Sequence, residues 1–171
     1  MTQNLAQYAA YHCDARNRAT HYVGIPLIVI AVAVLLSRPQ VEAGGLRLSP
    51  AVVGAAAAIV YYFLLDAGLA MILAVALALA LWFGAWIALQ ETGLWLGLGL
   101  GAFLLGWALQ FLGHYFEGRK PAFLDDLTGL LIGPLFVLAE ALFALGCYRA
   151  LRADLASRPV PEAGGAGQRK P

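Results

Sequence analysis

The chain has 171 residues, of which 61% are hydrophobic and only 12% charged, and its formal net charge is +1. A soluble domain has about a quarter of its residues charged, so this composition argues against a soluble enzyme and against a disordered chain. There is no basic stripe for nucleic acid, and two cysteines are too few for a disulfide framework. The composition predicts an all-α fold, that of a small polytopic helical membrane protein.

The predicted elements begin with a polar, aromatic segment, residues 1–21, which lacks the apolar core and cleavage site of a signal peptide. Five apolar runs follow, at 22–37, 50–65, 67–89, 94–113 and 127–148. A span needs about 20 residues, with about 17 as the short limit. We therefore expect about four transmembrane helices plus a fifth helix or re-entrant hairpin.

The connections between the runs are short. Residues 38–50 are expected to form a loop, the join at Asp66 a tight antiparallel hairpin, and residues 90–93 a turn. Glycines in the fourth run, at 97, 99, 101 and 106, predict a close approach of neighbouring helices. Residues 1–156 are predicted to be one helical membrane domain with a metal site at one face, and residues 157–171 a disordered tail.

An even number of runs separates His21 from His114, so the two polar segments around them are expected to face one compartment and to meet there. Lysine and arginine near span ends favour the cytoplasm. Four such residues lie on the side of the histidines, namely Arg16, Arg18, Arg119 and Lys120, and two lie on the opposite side, Arg38 and Arg47. A full fifth span would place the C-terminal arginines outside, whereas a break at Gly133-Pro134 into a re-entrant or interfacial hairpin would keep them inside.

The chain has three histidines, His12, His21 and His114, and all lie in the two polar segments. Neutral imidazole is the commonest protein ligand for metals, and three converging imidazoles suit Fe(II) or Zn. His12 and His21 would lie on opposite faces of one straight helix. Binding one metal therefore requires a helix break between them, with Asp14 or Asn17 as the new N-cap. The alternative is that all three are ordinary interfacial residues.

Other polar residues lie at helical spacing from the histidines. Gln110, His114 and Glu117 form a stripe at i, i+4 and i+7, and Asn17 lies one turn before His21. A polar stripe at the end of an apolar helix is costly unless it has a use. Glu117 is predicted either to ligate a metal or to orient a ligating histidine.

Two further charged residues each have two possible interpretations. Glu140 lies inside the fifth run, where a carboxylate is a functional candidate by default, either as a metal ligand in place of Glu117 or as an ion-pair partner of Arg119 or Arg149. Arg119 is either a topology anchor or a clamp for a substrate carboxylate.

Three segments together resemble a known family. The first runs from Tyr8 through His12 and Asn17 to HYVGIP at 21–26, the second is WALQFLGHYFEGRKPA at 107–122, and the third is PLFV at 134–137 followed by Glu140. Over about residues 5–145 the chain resembles the membrane 2-hydroxy-fatty-acid dioxygenases, typified by an enzyme of the yeast endoplasmic reticulum.

The resemblance implies an Fe(II)-dependent dioxygenase that uses O2 to shorten 2-hydroxy fatty acids by one carbon, the reaction of fatty acid α-oxidation. By position, His12, His21 and His114 match the motif histidines of the family and are the expected iron ligands. The short loops and compact size are typical of bacteria, so the expected location is the bacterial inner membrane, with the metal site facing the cytoplasm.

The remaining site residues have expected roles around that iron. Glu117 completes or orients the site, Gln110 and Asn17 support the ligands from behind, and Arg119 steers the substrate carboxylate. The alkyl tail of the substrate is expected to lie between apolar helices, in contact with membrane lipid. The sequence carries no signal for an oligomeric state.

Two other classes of protein remain as alternatives. One is a non-enzymatic haem protein in which two histidines are axial ligands. A Soret band would identify it. The other is a small transporter or scaffold, for which broken helices and the carboxylate of Glu140 are the relevant features. The lack of an internal repeat argues against a transporter.

Overall fold

The computed structural model describes residues 5–6, 8–9, 12–118 and 128–157. A short helical segment contains Leu5, Ala6, Tyr8 and Ala9. The elements that follow are α1 Ala15–Ser37, β1 Val41–Ala43, β2 Leu46–Leu48, α2 Pro50–Leu65, α3 Ala67–Ala88, α4 Thr92–Glu117, α5 Thr128–Ala144 and α6 Arg149–Ser157. Helices α1, α3 and α4 are long and apolar enough to cross a membrane. The predicted all-α membrane fold is therefore confirmed.

The helices begin at side-chain caps that the sequence supplies. The Asp14 carboxylate accepts a hydrogen bond from the Arg16 backbone N–H and starts α1. The hydrogen bond from the Arg16 side chain lowers the pKa of Asp14 to about 2, so this cap is ionised at neutral pH. Asp66 ends α2 through its backbone N–H and starts α3 through its side chain. One residue thus makes the predicted tight hairpin of α2 and α3.

The predicted loop at 38–50 contains a β-hairpin. Val41 pairs with Leu48 and Glu42 with Arg47 across antiparallel strands β1 and β2. The turn between them is Gly44-Gly45, with φ of 60° and 80°. Two consecutive positive φ values are what a tight two-residue hairpin turn requires, and glycine adopts them without a steric cost.

Helix α1 packs most extensively against α4. At seven-residue intervals α4 presents glycines to α1, namely Gly99, Gly106 and Gly113. A Cβ at Gly106 would lie only 3.0 Å from the Gly24 carbonyl oxygen of α1, so the two backbones approach as small residues allow. Gly97 and Gly101 have no atoms near the position of a Cβ. The predicted close approach is therefore confirmed for only half of the glycines named for it.

The alternative of a break at Gly133-Pro134 is wrong in position. Helix α5 continues through Pro134 to Ala144, and the chain turns at 145–148 before α6. Gly146, with φ of 77°, and Tyr148, with φ of 52°, adopt the left-handed conformation there. A proline removes one backbone hydrogen bond, which a helix of a membrane protein tolerates, whereas a left-handed residue ends it.

Helices α5 and α6 make an angle of 115°, and the segment that joins the end of α5 to α6 contacts one end of the bundle. We call this the upper end. It is defined by Asp14, Asp66 and Gly118, where α1 and α3 begin and α2 and α4 end. Glu140 of α5 accepts a hydrogen bond from Tyr22 at 3.4 Å, and Tyr148 contacts Gly68. A bent helix pair of this kind is either a broken span or a re-entrant loop.

A buried apolar cluster holds the upper end together. It joins the N-terminal segment to α2, α3 and α5, and its members are Leu5, Tyr62, Leu69, Ala70, Leu73, Ile132, Leu135 and Phe136. The Tyr62 hydroxyl also donates to the Leu131 carbonyl at 2.9 Å. Burial of this cluster fixes the N-terminal segment against the bundle, and that segment leads directly to His12.

Candidate metal centre

His12 lies between the N-terminal helical segment and α1 and is only 1% exposed. Its Nδ1 donates to the Tyr8 carbonyl at 2.7 Å. Its ring stacks on the Tyr8 ring, with centroids 4.1 Å apart and planes 8° from parallel. Because Nδ1 carries the proton, the lone pair of His12 is on Nε2, and the stacking holds that atom in a fixed direction.

His21 and His114 meet His12 from two helices. On α1, His21 donates from Nδ1 to the Asn17 carbonyl at 2.9 Å, which leaves its Nε2 as the acceptor. His114 lies in the last turn of α4. The three ring centroids are 4.7 to 5.3 Å apart, and one nitrogen from each ring lies within 4.8 Å of the others. We call these three side chains the histidine cluster.

The cluster depends on a break in the helical chain, as the nine-residue spacing predicts. Residues 12–14 are not helical, and α1 begins after the Asp14 cap. His12 therefore comes to the cluster from the segment before α1, and His21 from its second turn. The predicted meeting of the two polar segments at one end of the bundle also agrees with these positions.

The donor set fits a divalent transition metal. Within the part of the chain that the structure describes, His12 Nε2 and His114 Nδ1 are buried without a hydrogen-bond partner. Such atoms cost about 1–3 kcal/mol each unless something binds them. Burial lowers the pKa of His12, which keeps its imidazole in the neutral, metal-binding form at neutral pH. Neutral imidazole suits iron, zinc, copper and nickel.

Glu117 lies beside the cluster, and its carboxylate makes three hydrogen bonds. Its oxygens accept from the backbone N–H groups of Cys13 at 3.0 Å and Asp14 at 2.9 Å, and from Asn17 Nδ2 at 2.9 Å. The group of metal-competent atoms contains the histidines and not this carboxylate. Glu117 thus ties the end of α4 to the loop that carries His12, and its role towards a metal stays a prediction.

Asn17 and Gln110 are both buried, as expected of residues that support a site. Asn17 joins Glu117 to His21, since its side chain donates to the first and its carbonyl accepts from the second. Gln110 is different, because its Nε2 has no partner among the described residues although the side chain is only 5% exposed. It lines the cavity beside the histidine cluster rather than lying behind it.

That cavity has a volume of about 70 Å³ and is lined by all three histidines. Tyr8 and Trp107 form part of its wall, and α5 closes another side with Gly133 and Pro134. One water needs roughly 10–15 Å³ of such volume. The site therefore has room for several water-sized groups next to the imidazole nitrogens.

Glu140 is not part of the cluster. Glu140 interacts with the Tyr22 hydroxyl, and Arg149 donates to the Gly146 carbonyl at 3.1 Å. Among the described residues Arg149 therefore does not form the ion pair with Glu140 that was one of the two interpretations of this carboxylate. Arg119 lies outside the described residues, as does the predicted tail beyond Ser157.

Sequence reasoning assigned no role to two aromatic residues of the site. Tyr8 stacks on His12, and Phe136 of α5 packs against both rings, with centroids 4.8 Å from Tyr8 and 5.9 Å from His12. The i, i+4 spacing of Tyr8 and His12 was a usable signal, because that spacing places two side chains on one helix face. Phe136 gave no signal, since it lies within an ordinary apolar run.

The fold and the site define an integral membrane helical bundle with three buried imidazoles at one end. The sequence profile described as "2-hydroxy-palmitic acid dioxygenase Mpo1-like" matches residues 1–145. The chain is also 33% identical over 159 residues to 2-hydroxy-palmitic acid dioxygenase MPO1 of Saccharomyces cerevisiae, an alignment that covers 91% of this chain and 87% of the yeast protein. No solved structure matches the chain. The chain belongs to the Mpo1-like family, and this membership supports an oxidoreductase.

Proposed function

We propose that this protein is an Fe(II)-dependent dioxygenase that shortens 2-hydroxy fatty acids by one carbon. The observation that carries the proposal is the histidine cluster, with three buried imidazole nitrogens within 4.8 Å of one another. The yeast relative is named for 2-hydroxy-palmitic acid, and a long-chain 2-hydroxy acid is accordingly the substrate class that we assign.

His12, His21 and His114 would hold the iron. When bound, the iron supplies open coordination positions and the redox chemistry that O2 requires. The overall reaction balances without another reductant, because a 2-hydroxy acid and O2 give the fatty acid one carbon shorter, CO2 and water. The bond between C1 and C2 breaks, and the substrate supplies all four electrons that O2 accepts.

The protein contributes orientation and a dry environment. In this proposal Gln110 donates its free Nε2–H to the oxygen-rich head of the substrate. Glu117 and Asn17 hold the loop and the first turns of α1, so that His12 and His21 keep their positions. Tyr8 and the α5 residues around Pro134 exclude bulk water. Arg119 retains its proposed role of steering the substrate carboxylate.

We also propose that the histidine cluster faces the cytoplasm of a bacterial inner membrane. The support is the arginine distribution, with Arg16 and Arg18 at the upper end and Arg38 at the other end of α1. The contacts that the segment joining α5 to α6 makes with the upper end are consistent with it, because they keep Arg149 and Arg152 at the upper end as well.

The two alternatives receive less support. Three nitrogen donors that converge on one point do not match two axial ligands on opposite faces of a haem. A transporter role relied on broken helices and a carboxylate at mid-membrane, whereas the break after α5 lies at 145–148 and Glu140 contacts Tyr22 at the upper end, so neither feature lies at the middle of the bundle.

The test is oxygen consumption by purified, iron-loaded protein with 2-hydroxyhexadecanoate. We expect O2 uptake with release of CO2 and formation of pentadecanoic acid. Hexadecanoate, which lacks the 2-hydroxyl group, is the matched control and should give no uptake. Iron-loaded, folded protein that leaves a series of 2-hydroxy acids unchanged would contradict the proposal.

A further inference from the structure

The cavity beside the histidine cluster shares part of its wall with a second cavity, which has a volume of about 430 Å³. Ile28, Val29, Trp107 and Pro134 are among the residues that line both. We call this second space the tail cavity. All five long helices, α1 to α5, contribute to its wall, and nearly all of the contributing side chains are apolar.

The tail cavity reaches the opposite end of the bundle. Its far wall contains Leu36, near the end of α1, and Ala51 and Gly54 in the first turns of α2. His21 and Leu36 are fifteen residues apart on α1, which corresponds to about 22 Å. One leaflet of acyl tails fills half of a hydrocarbon core about 30 Å thick. The cavity is thus deep enough for one long alkyl chain, and a short chain would leave its far end unfilled.

Gln110, which lines the adjoining cavity beside the histidine cluster, is a second, independent observation. Its side chain is 5% exposed, and its Nε2 has no hydrogen-bond partner in the described part of the chain. A buried donor without a partner is unfavourable until a ligand acceptor reaches it. An occupant with a polar, oxygen-bearing head at Gln110 and a long alkyl tail below it satisfies both features.

We propose that the tail cavity binds the alkyl tail of the substrate, and that Gly54 at its far end sets the longest chain accepted. The proposal rests on the proposed function, since the occupant is a long-chain 2-hydroxy acid with its head at the histidine cluster. Binding then increases with each buried methylene until the chain reaches the first turns of α2.

A substitution of Gly54 is well suited to test whether this position limits the length of the bound alkyl chain. A Cβ built at Gly54 meets no atom within 4 Å, and Gly54 lines the tail cavity, so a larger side chain has open space at the cavity wall. Gly97 is a matched control, because a Cβ there also meets nothing, and Gly97 is not among the residues that line the tail cavity.

The first experiment measures equilibrium binding of 2-hydroxydecanoate and 2-hydroxyhexadecanoate to Gly54→Phe, Gly97→Phe and the unsubstituted protein in detergent. We expect Gly54→Phe to weaken binding of the long acid about tenfold or more and to leave the short acid unchanged. Gly97→Phe should change neither. Because the three proteins are compared with the same acid, partitioning of that acid into the detergent micelles affects all of them equally. Equal loss for both acids, or no loss for either, would overturn the proposal. Gly54→Val provides a smaller obstruction if the Phe variant does not fold.

The second experiment maps the tail directly. A 2-hydroxyhexadecanoate with a diazirine at its terminal carbon should label residues 50–58 on illumination, and excess 2-hydroxyhexadecanoate should prevent the labelling. Labelling that the hydroxy acid does not prevent, but that a phospholipid does, would mean that bilayer lipid fills the cavity, and it would overturn the proposal.

These outcomes separate the two proposals. Length-dependent binding without turnover would retain the tail cavity and reject the dioxygenase reaction. Turnover that Gly54→Phe leaves equal for both acids would retain the reaction and reject the tail cavity.

Discussion

At the scale of single residues, the centre is organised by hydrogen bonds to backbone groups. His12 and His21 each donate Nδ1–H to a carbonyl four residues earlier, so both rings present Nε2 inward. Glu117 fixes the loop between them by accepting from two consecutive backbone N–H groups. The nitrogen atoms that could bind a metal are therefore oriented by nearby backbone groups together with the carboxylate of Glu117.

The first prediction concerns Glu117 as a positioning residue. Glu117→Ala leaves two backbone N–H groups and the Asn17 amide without their acceptor, so the His12 loop should become less ordered. Losing such an orienting partner typically weakens metal affinity about 10–100-fold. We expect a loss of this size in Fe(II) binding titrations, with the helical circular dichroism retained.

The control is Glu91→Ala, because Glu91 is an exposed residue before α4 whose side chain makes no cap hydrogen bond. Its affinity should be unchanged. Glu117→Gln keeps an acceptor oxygen and should restore part of the affinity. Fe(II) affinity that is the same in Glu117→Ala as in the unsubstituted protein would contradict the positioning role.

At the scale of elements, the sequence predicts the helices well and the local turns less well. Hydropathy places the five runs, and Asp14 and Asp66 mark helix starts because a carboxylate there accepts backbone hydrogen bonds. The hairpin at 41–48 was missed because strands of three residues carry almost no periodicity. The alternative break in the fifth run was placed too early because Pro134 is a stronger sequence signal than Gly146, although the φ of Gly146 is what ends the helix.

The second prediction tests the contact between α1 and α4. A Cβ at Gly113 would collide with Thr20 and Asn17, one turn from His21. Overpacking of this kind costs about 1–3 kcal/mol. Gly113→Ala should therefore lower the melting temperature in detergent and also weaken metal binding, since it displaces the turn that carries His21.

Gly97→Ala is the matched control on the same helix. Its Cβ enters open space, and replacing glycine by alanine within a helix is favourable by about 0.5–1 kcal/mol. Its melting temperature should be equal to that of the unsubstituted protein or slightly higher. Equal melting temperatures for both alanine variants would be inconsistent with the packing described for α1 and α4.

At the scale of the whole molecule, one end of the bundle carries the chemistry and the interior carries apolar space. The prediction that all three histidines share one side followed from counting apolar runs, and their convergence agrees with that count. The tail cavity could not be predicted, since it depends on how five helices leave space between them. The role of Arg119 and the disorder of the C-terminal segment after Ser157 remain predictions from the sequence.

The third prediction concerns the topology of the C-terminal part. Cys13 and Cys147 are the two cysteines of the chain, and both are exposed. Because α5 and the segment that joins it to α6 contact the upper end at Tyr22 and Gly68, both thiols should lie on one side of the membrane. In oriented vesicles, Cys13→Ser and Cys147→Ser variants should react with an impermeant maleimide from the same side. Labelling from opposite sides would mean that α5 crosses the membrane.

The most direct measurement of the central claim is the metal content of protein purified without oxygen and offered Fe(II). The unsubstituted protein should retain close to one iron per chain, and His114→Ala should lose it. Tyr115→Ala is the matched control, because Tyr115 is the next residue on α4 and is 79% exposed, and it should retain the iron. Iron retained in folded His114→Ala, or absent from all three proteins after reconstitution, would contradict the histidine cluster as the iron site.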